Sequence, residues 1–288
     1  MTSVEPEPLY YDPYKVEIVN DPYPVYHRLL EEAPLYYNEE YDFYAVSRFD
    51  DVQRGLRDHE KLSSAYGGIL ELIKAKIEVP KGTFIMEDPP LHTVYRGVLA
   101  GIVTPRRMNG LEPMVREFTV RCLDALVGRE RFDMIAEVGG QVPMRVIGML
   151  LGIPEDDLQT VRKRGDNNIR TEAGKPMEYH EGSLTGDAFE EYIDWREEHP
   201  SDDLMTELLN VEFTDDTGTR RRLTRSEILT YVNVLAGAGN ETTNRLIGWF
   251  TKVLAEHPDQ RRELAADPAL IPAAIEEVLR FEPTGPHV

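Results

Sequence analysis

The chain has 288 residues, 41% of them hydrophobic, and 32 Lys and Arg against 52 Asp and Glu leave a net charge of −20. That length allows one large domain or two ordinary ones with a real core. The acidic balance excludes a phosphate-gripping basic face and attraction to anionic membrane, and a single cysteine, Cys122, excludes an internal disulfide or a paired-cysteine metal site.

The N-terminal MTSVEPEPLYYDPY is acidic and proline-rich, without the apolar region of a signal peptide. No apolar run is long enough for a membrane span, so a cytoplasmic protein is expected. Residues 1–20 read as an extended lead-in. Asp21-Pro22 opens a helix over PYPVYHRLLEEA, with Pro in the first turn. LYYN and FYAVS flank the turn NEEYD and read as a β-hairpin. FDDVQRGLRD is a short helix, and residues 60–86 are mostly loop with a helical turn at ILELIKAK.

Beyond residue 89 the pattern is helical. PLHTVYRGVLAGIV forms one helix closed by Thr104-Pro105, and LEPMVREFTVRCLDALVG a second, stopped at Gly128. AEVGGQVPMRVIGMLLG is a third and EDDLQTVRKRGDNNI a fourth, followed by the polar connection TEAGKPMEYHEGSLTG. DAFEEYIDWREEH and DDLMTELLNV follow, then a small hairpin around Asp216-Thr217-Gly218. Thr224-Arg225-Ser226-Glu227 is a capping box and starts the longest helix, about residues 225–256. DQRRELAAD and ALIPAAIEEVLRF complete a mainly α chain with a small N-terminal β-region.

Three constellations carry chemistry, and each has a plain alternative. In LAGAGNETTNRLIGW, Gly237, Ala238 and Gly239 remove side-chain bulk over one turn of a helix whose apolar residues predict burial on most sides. Thr242 or Thr243 can bond back to a carbonyl four residues earlier, and Glu241 sets an acid beside a hydroxyl. The alternative is an ordinary notch where two helices cross. In DPPLHTVYR, His92 and Arg96 are spaced i, i+4 and can hold an anionic group; an exposed polar face is the alternative. In EEVLRFEP, Glu277 and Arg280 can pair at i, i+3, as common surface pairs do. Cys122 falls at helical spacing with Val115, Phe118 and Leu126 and reads as a small core residue.

In this order and spacing the three motifs resemble the cytochrome P450 family. DPPLHTVYR followed by VTPRRM looks like that family's propionate-gripping helix, AGNETT like its oxygen-activating segment, and Glu277-Val278-Leu279-Arg280 with Pro283 like its E-x-x-R helix. The lead-in and the early hairpin also match the soluble bacterial members. The resemblance implies a P450-like helical fold, C-terminally truncated, with residues 1–288 as one partial domain. An N-terminal helix and β-region would occupy residues 1–60 and a helical region residues 85–288.

The resemblance also implies haem b as cofactor. His92 and Arg96 would bind its propionates, Ala238 and Gly239 would form the oxygen notch, and Glu241 and Thr242 would be the proton-delivering acid–alcohol pair. Glu277 and Arg280 would belong to a buried structural network. Glu241 stands where Asp is commoner. The family's haem-binding cysteine loop lies beyond the E-x-x-R helix, and Cys122 matches no ligand position, so no metal ligand is expected in this chain. The function implied is that of the N-terminal part of a monooxygenase that hydroxylates an apolar small molecule with O2 and a ferredoxin-type electron donor served by an NAD(P)H reductase. The alternative is a naturally short, inactive protein that binds a small molecule or a partner. Tyr66, Ile69, Leu70, Ile73, Phe84, Ile85 and, on the long helix, Leu235 are the expected pocket liners.

Overall fold

A computed structural model describes residues 7–76, 79–154, 157, 174–176 and 189–285. The chain falls into two compact units. One comprises residues 1–79, 84–92 and 169–183, and the other residues 80–83, 93–168 and 184–288.

The first unit holds α1 (Val16–Asn20), α2 (Tyr23–Glu32), the hairpin β1 (Leu35–Asn38) and β2 (Phe43–Val46), α3 (Phe49–Gly55), α4 (Leu70–Ala75) and a 3-10 turn (Phe84–Met86). The hairpin pairs antiparallel from Leu35↔Val46 to Asn38↔Phe43, as its alternation predicts. Tyr11 is its anchor: the ring meets Tyr26, Tyr36 and Phe43 edge-on, with centroids 6.1, 6.4 and 6.1 Å away. The buried Asn38 carboxamide donates to the Tyr11 carbonyl at 2.8 Å and accepts from the Tyr41 N–H at 2.7 Å, so no polar atom there goes unused. The expected extended lead-in is corrected by α1. The Asp12 carboxylate accepts from the Tyr14 N–H at 2.8 Å and bends the chain into a turn, from which the short helix follows.

The remaining elements are α5 (Leu91–Ile102), α6 (Pro105–Asp124), a π-helical turn (Ile135–Gly139), α7 (Val142–Leu151), α8 (Glu190–Glu198), α9 (Leu204–Asn210), the hairpin β3 (Glu212–Thr214) and β4 (Arg220–Arg222), α10 (Arg225–Glu256), α11 (Pro258–Ala266) and α12 (Ile271–Phe281). In α6 the expected start at residue 111 moves forward to Pro105. The Thr104 hydroxyl accepts from the Arg107 N–H at 3.4 Å, so Thr-Pro ends α5 and also caps the next helix. The expected third helix is broken instead into the π turn and α7. Gly139 sits so close to α10 that a Cβ there would lie 2.4 Å from Asn244 Oδ1. The expected fourth helix (155–169, apart from residue 157) and the polar connection (171–186, apart from 174–176) lie outside the described residues.

α10 organises this second unit. Its capping box forms as the sequence predicts: Thr224 Oγ1 accepts from the Glu227 N–H at 3.2 Å, and Glu227 Oε2 accepts from the Thr224 N–H at 2.7 Å. Ile228, Leu229, Tyr231, Val232 and Ala236 are buried. Burial on most sides stops there: Gly237, Ala238, Thr242 and Thr243 are exposed, and Leu246, Ile247 and Phe250 are half-buried. Past Ala236 the helix packs against α7 and the π turn and leaves another face open. Leu204, Met205 and Leu208 of α9 and Ile193 of α8 complete the core.

A buried ion pair ties three elements together. Arg196 on α8 meets Asp203 at 2.8 Å and donates to the carbonyls of Gly152 and His199, each at 2.9 Å. Asp203 also caps α9 through the Thr206 N–H. Gly152 ends α7 with φ +70, and a Cβ there would lie 2.1 Å from Asp203 Oδ2. Only glycine satisfies both demands.

Candidate functional site

α5 buries one stripe, Tyr95, Val98, Leu99 and Ile102, at the i, i+3, i+4, i+7 spacing of an amphipathic helix. His92 continues the Tyr95–Leu99 side in the first turn and is half-buried, and Arg96, off the stripe, is exposed one turn later. The Asp88 carbonyl accepts from the His92 N–H at 3.0 Å. The Asp88 carboxylate is held by the Ser63 hydroxyl and the Ser64 N–H, which keep it below the usual carboxylate range.

Tyr95 is fully buried, and its polar atoms are all engaged. Its hydroxyl donates to Glu227 Oε1 at 2.6 Å and accepts from Arg221 Nη2 at 3.2 Å. Its carbonyl accepts from the Tyr231 hydroxyl at 2.6 Å. Arg221 forks onto both Glu227 oxygens at 2.8 and 2.9 Å, and its Nε reaches Asp215 at 2.8 Å. Burial by itself would push the Glu227 carboxyl up; Arg221, the Thr224 N–H and the Tyr95 hydroxyl together hold it down at about 2. Burial and then the Glu227 carboxylate raise the Tyr95 phenol. Sequence reasoning saw Glu227 only as a cap and missed Tyr95 and Arg221. The available signal was a tyrosine at a core position of the α5 stripe, whose hydroxyl had to find a partner.

The Tyr231 bond fixes which side of α10 meets α5. Ala238 and Thr242 follow Tyr231 by seven and eleven residues, so they lie on the same side, about 10 and 16 Å further along the axis. There the face is exposed. The Thr242 hydroxyl donates to the Ala238 carbonyl at 2.7 Å, which selects Thr242 as the back-bonding threonine. Glu241 is half-buried beside it and ion-pairs with Arg245 one turn on.

The three small residues of the opening motif point three ways. A Cβ on Gly239 would lie 2.6 Å from Ile147 Cδ1, so that glycine serves the crossing with α7. A Cβ on Gly237 would meet nothing within 4 Å. Only Ala238 lies on the open face with Thr242. The other predicted residues divide as well. Glu277 and Arg280 pair at 2.7 Å, and in the described residues both are exposed. Tyr66, Ile69 and Ile85 are exposed and Ile73 is too, whereas Phe84 is buried at 2% exposure inside the first unit and lines no open surface. Leu235 is half-buried on α10. Cys122 is half-buried on α6 rather than in the core, and burial raises its thiol.

No protein-family model matches the chain. Among curated proteins it is 37% identical over 285 residues to putative cytochrome P450 123 of Mycobacterium tuberculosis, covering 96% of this chain and 69% of that protein. The chain belongs to the cytochrome P450 family. Among solved structures, cytochrome P450 CYP109Q5 from Chondromyces apiculatus superposes with a TM-score of 0.76 at 29% identity, covering 92% of this chain and 66% of that one. Myxobacterial CYP267B1, solved in complex with myristic acid, gives 0.76 at 27% identity, with 93% and 68% covered. The chain thus spans about two thirds of the length of the P450s it matches.

P450 membership implies a haem cofactor. A flat macrocycle with acidic arms needs cationic donors at its edge and a helix face without bulk. Arg96 is an exposed cation next to the anchored Tyr95, and Ala238 is exposed on a helix face without bulk, so the chemistry of both residues fits such a group. Cys122 sits half-buried on α6, where burial raises its thiol and so disfavours the thiolate form.

Proposed function

We propose that the chain is the larger part of a haem-thiolate monooxygenase whose axial cysteine is not Cys122, with residues 1–288 forming one partial domain. The carrying observation is the open face of α10, where the Thr242 hydroxyl bonds the Ala238 carbonyl beside Glu241, downstream of the point at which Tyr231 docks α10 on α5. When bound, haem b supplies the oxidising chemistry. His92 and Arg96, one turn apart on α5, hold its propionates by charge-assisted hydrogen bonds.

Ala238 would leave this helix face free of bulk for the haem, and Gly239 lets α10 seat on Ile147. Thr242 can turn its hydroxyl from the Ala238 carbonyl toward a reacting oxygen, while Glu241 exchanges Arg245 for a water or the threonine and passes on a proton. Glu277 and Arg280 act as a structural pair. The substrate is an apolar small molecule. Tyr66, Ile69 and Ile85 offer exposed apolar surface within the first unit, and the myristic acid held by CYP267B1 is of that class. Electrons come from a ferredoxin-type donor with its NAD(P)H reductase.

The test is a carbon monoxide difference spectrum on two proteins: the 288-residue chain mixed with hemin, and the full-length protein. The full-length protein is expected to give a thiolate-type Soret band that the 288-residue chain lacks. Such a band from the 288-residue chain would assign the thiolate to Cys122 and overturn the reading. A full-length protein that takes up no hemin would end it.

A further inference from the structure

The capping box of α10 uses one oxygen of Glu227. Oε2 accepts from the Thr224 N–H and completes the cap. Oε1 has no part in it, and it accepts instead from the Tyr95 hydroxyl and from Arg221. The chain therefore buries a carboxylate and a phenol beside a half-buried guanidinium, where a cap alone needs neither of the last two. The assembly is fully connected: Arg221 also engages Asp215 and lies 4.8 Å above the Phe213 ring, and Phe213 in turn lies 5.9 Å from the Tyr95 ring. Gly82, with φ +97, seats over it; a Cβ there would lie 3.4 Å from Glu227 Cγ and 3.8 Å from Tyr95 Cε1.

Tyr95 is gripped at both ends. Glu227 and Arg221 hold its hydroxyl, and the Tyr231 hydroxyl holds its carbonyl. Two anchors at different distances from a helix axis fix its rotation as well as its position. The next residue is Arg96. With a side-chain radius of about 6 Å, a rotation of α5 by roughly 20° would carry the Arg96 head about 2 Å sideways, enough to break a hydrogen bond. We infer that Tyr95, clamped by Glu227, Arg221 and Tyr231, is a positioning residue that sets the rotation of α5 and so aims Arg96 at the acidic group it is proposed to bind. This rests on the reading of Arg96 as a propionate ligand, and the test separates the two.

Hemin titration and thermal melts are made on the 288-residue chain and on its Tyr95→Phe, Arg96→Ala and double variants. Arg96→Ala is expected to weaken hemin binding about tenfold or more, the value of a hydrogen bond to a charged group. Tyr95→Phe is expected to weaken it about threefold to tenfold, and to add no further loss once Arg96 is alanine. The shifts in melting temperature of the two variants should simply add in the double variant. Losses of hemin affinity that also add would make Tyr95 a merely structural residue and overturn the inference.

If Arg96→Ala leaves hemin binding unchanged, the propionate reading fails. Amide hydrogen exchange then judges the positioning claim alone, as it does if the chain takes up no hemin. Tyr95→Phe and Tyr231→Phe should each speed exchange in α5 and leave α7 and α9 unchanged. Equal exchange in α5, or equal speeding in all three helices, would refute it.

Discussion

Gly237 and Gly239 are two residues apart on one helix, yet adding a methyl group should move stability in opposite directions. At Gly237 the new Cβ would meet nothing within 4 Å. Alanine there gains its helix propensity over glycine, about 0.5–1 kcal/mol. At Gly239 the Cβ would land 2.6 Å from Ile147 Cδ1 and 3.4 Å from Cγ1. Ile147 is buried between α7 and α10 and can yield only by swinging its terminal methyl. Overpacking of this kind costs about 1–3 kcal/mol, and the propensity gain offsets about 1 of it, leaving Gly239→Ala destabilising by about 1 kcal/mol. Ile147→Val deletes the offending methyl at a cost of about 0.5–1.5 kcal/mol alone. Combined with Gly239→Ala it should cost less than the sum, by about 1 kcal/mol. Urea titration of the four variants reads this directly. If Gly239→Ala is as stabilising as Gly237→Ala, or if the Ile147→Val pair is additive, then contact with α7 is not why residue 239 is glycine.

Glu227 gives the chain a pH dependence of defined sign. Its folded carboxyl lies at about 2 against an ordinary 4.5, so its stabilisation is complete above the ordinary value and drains as pH falls from there toward the folded one. After allowance for solvent screening this is about 2 kcal/mol, and Glu227→Gln should flatten that part of a plot of melting temperature against pH. Arg196→Ala leaves the buried Asp203 without its cation and should cost about 3–5 kcal/mol; a loss under about 1 kcal/mol in denaturant titration would mean that water compensates the site. Thr242→Ala removes only an exposed hydroxyl bonded to its own helix, so stability should hold or rise by about 0.5 kcal/mol. In the full-length enzyme the same change should lower product formed per NAD(P)H consumed, and an unchanged ratio would remove Thr242 from the proposed relay.

Features governed by local chemistry were legible in the sequence. The α10 capping box needs only Thr224 and Glu227 three residues apart, and the early hairpin only its alternation and turn. Thr104-Pro105 shows how such a signal can mislead: the same two residues that stop one helix cap the next, and only the Arg107 N–H shows that both happen. Long-range partners were not legible. Nothing near Tyr95 in sequence announces Arg221 or Glu227, more than 120 residues away, and nothing near Gly152 announces Arg196 and Asp203. The Glu277–Arg280 pair forms at the spacing its motif predicts, whereas burial depends on what covers a helix, and spacing says nothing of that.

The AGAGNETT segment shows why the two readings of a small-residue motif need not compete. Successive helix residues point about 100° apart, so a run of three small residues cannot serve one purpose with all its members. Gly239 belongs to the crossing with α7, as the plain reading held. Ala238 belongs to the side it shares with Tyr231 and Thr242, which is buried at Tyr231 and exposed from Ala238 onward. The two roles support each other mechanically. Ile147 seats against Gly239 on one side, and Tyr231 grips Tyr95 on the other, seven residues before Ala238. These two contacts set the register of α10 from different sides of the helix, and the direction in which Ala238, Glu241 and Thr242 point follows from it. A helix can leave polar groups bare on one side when its register is fixed from the others.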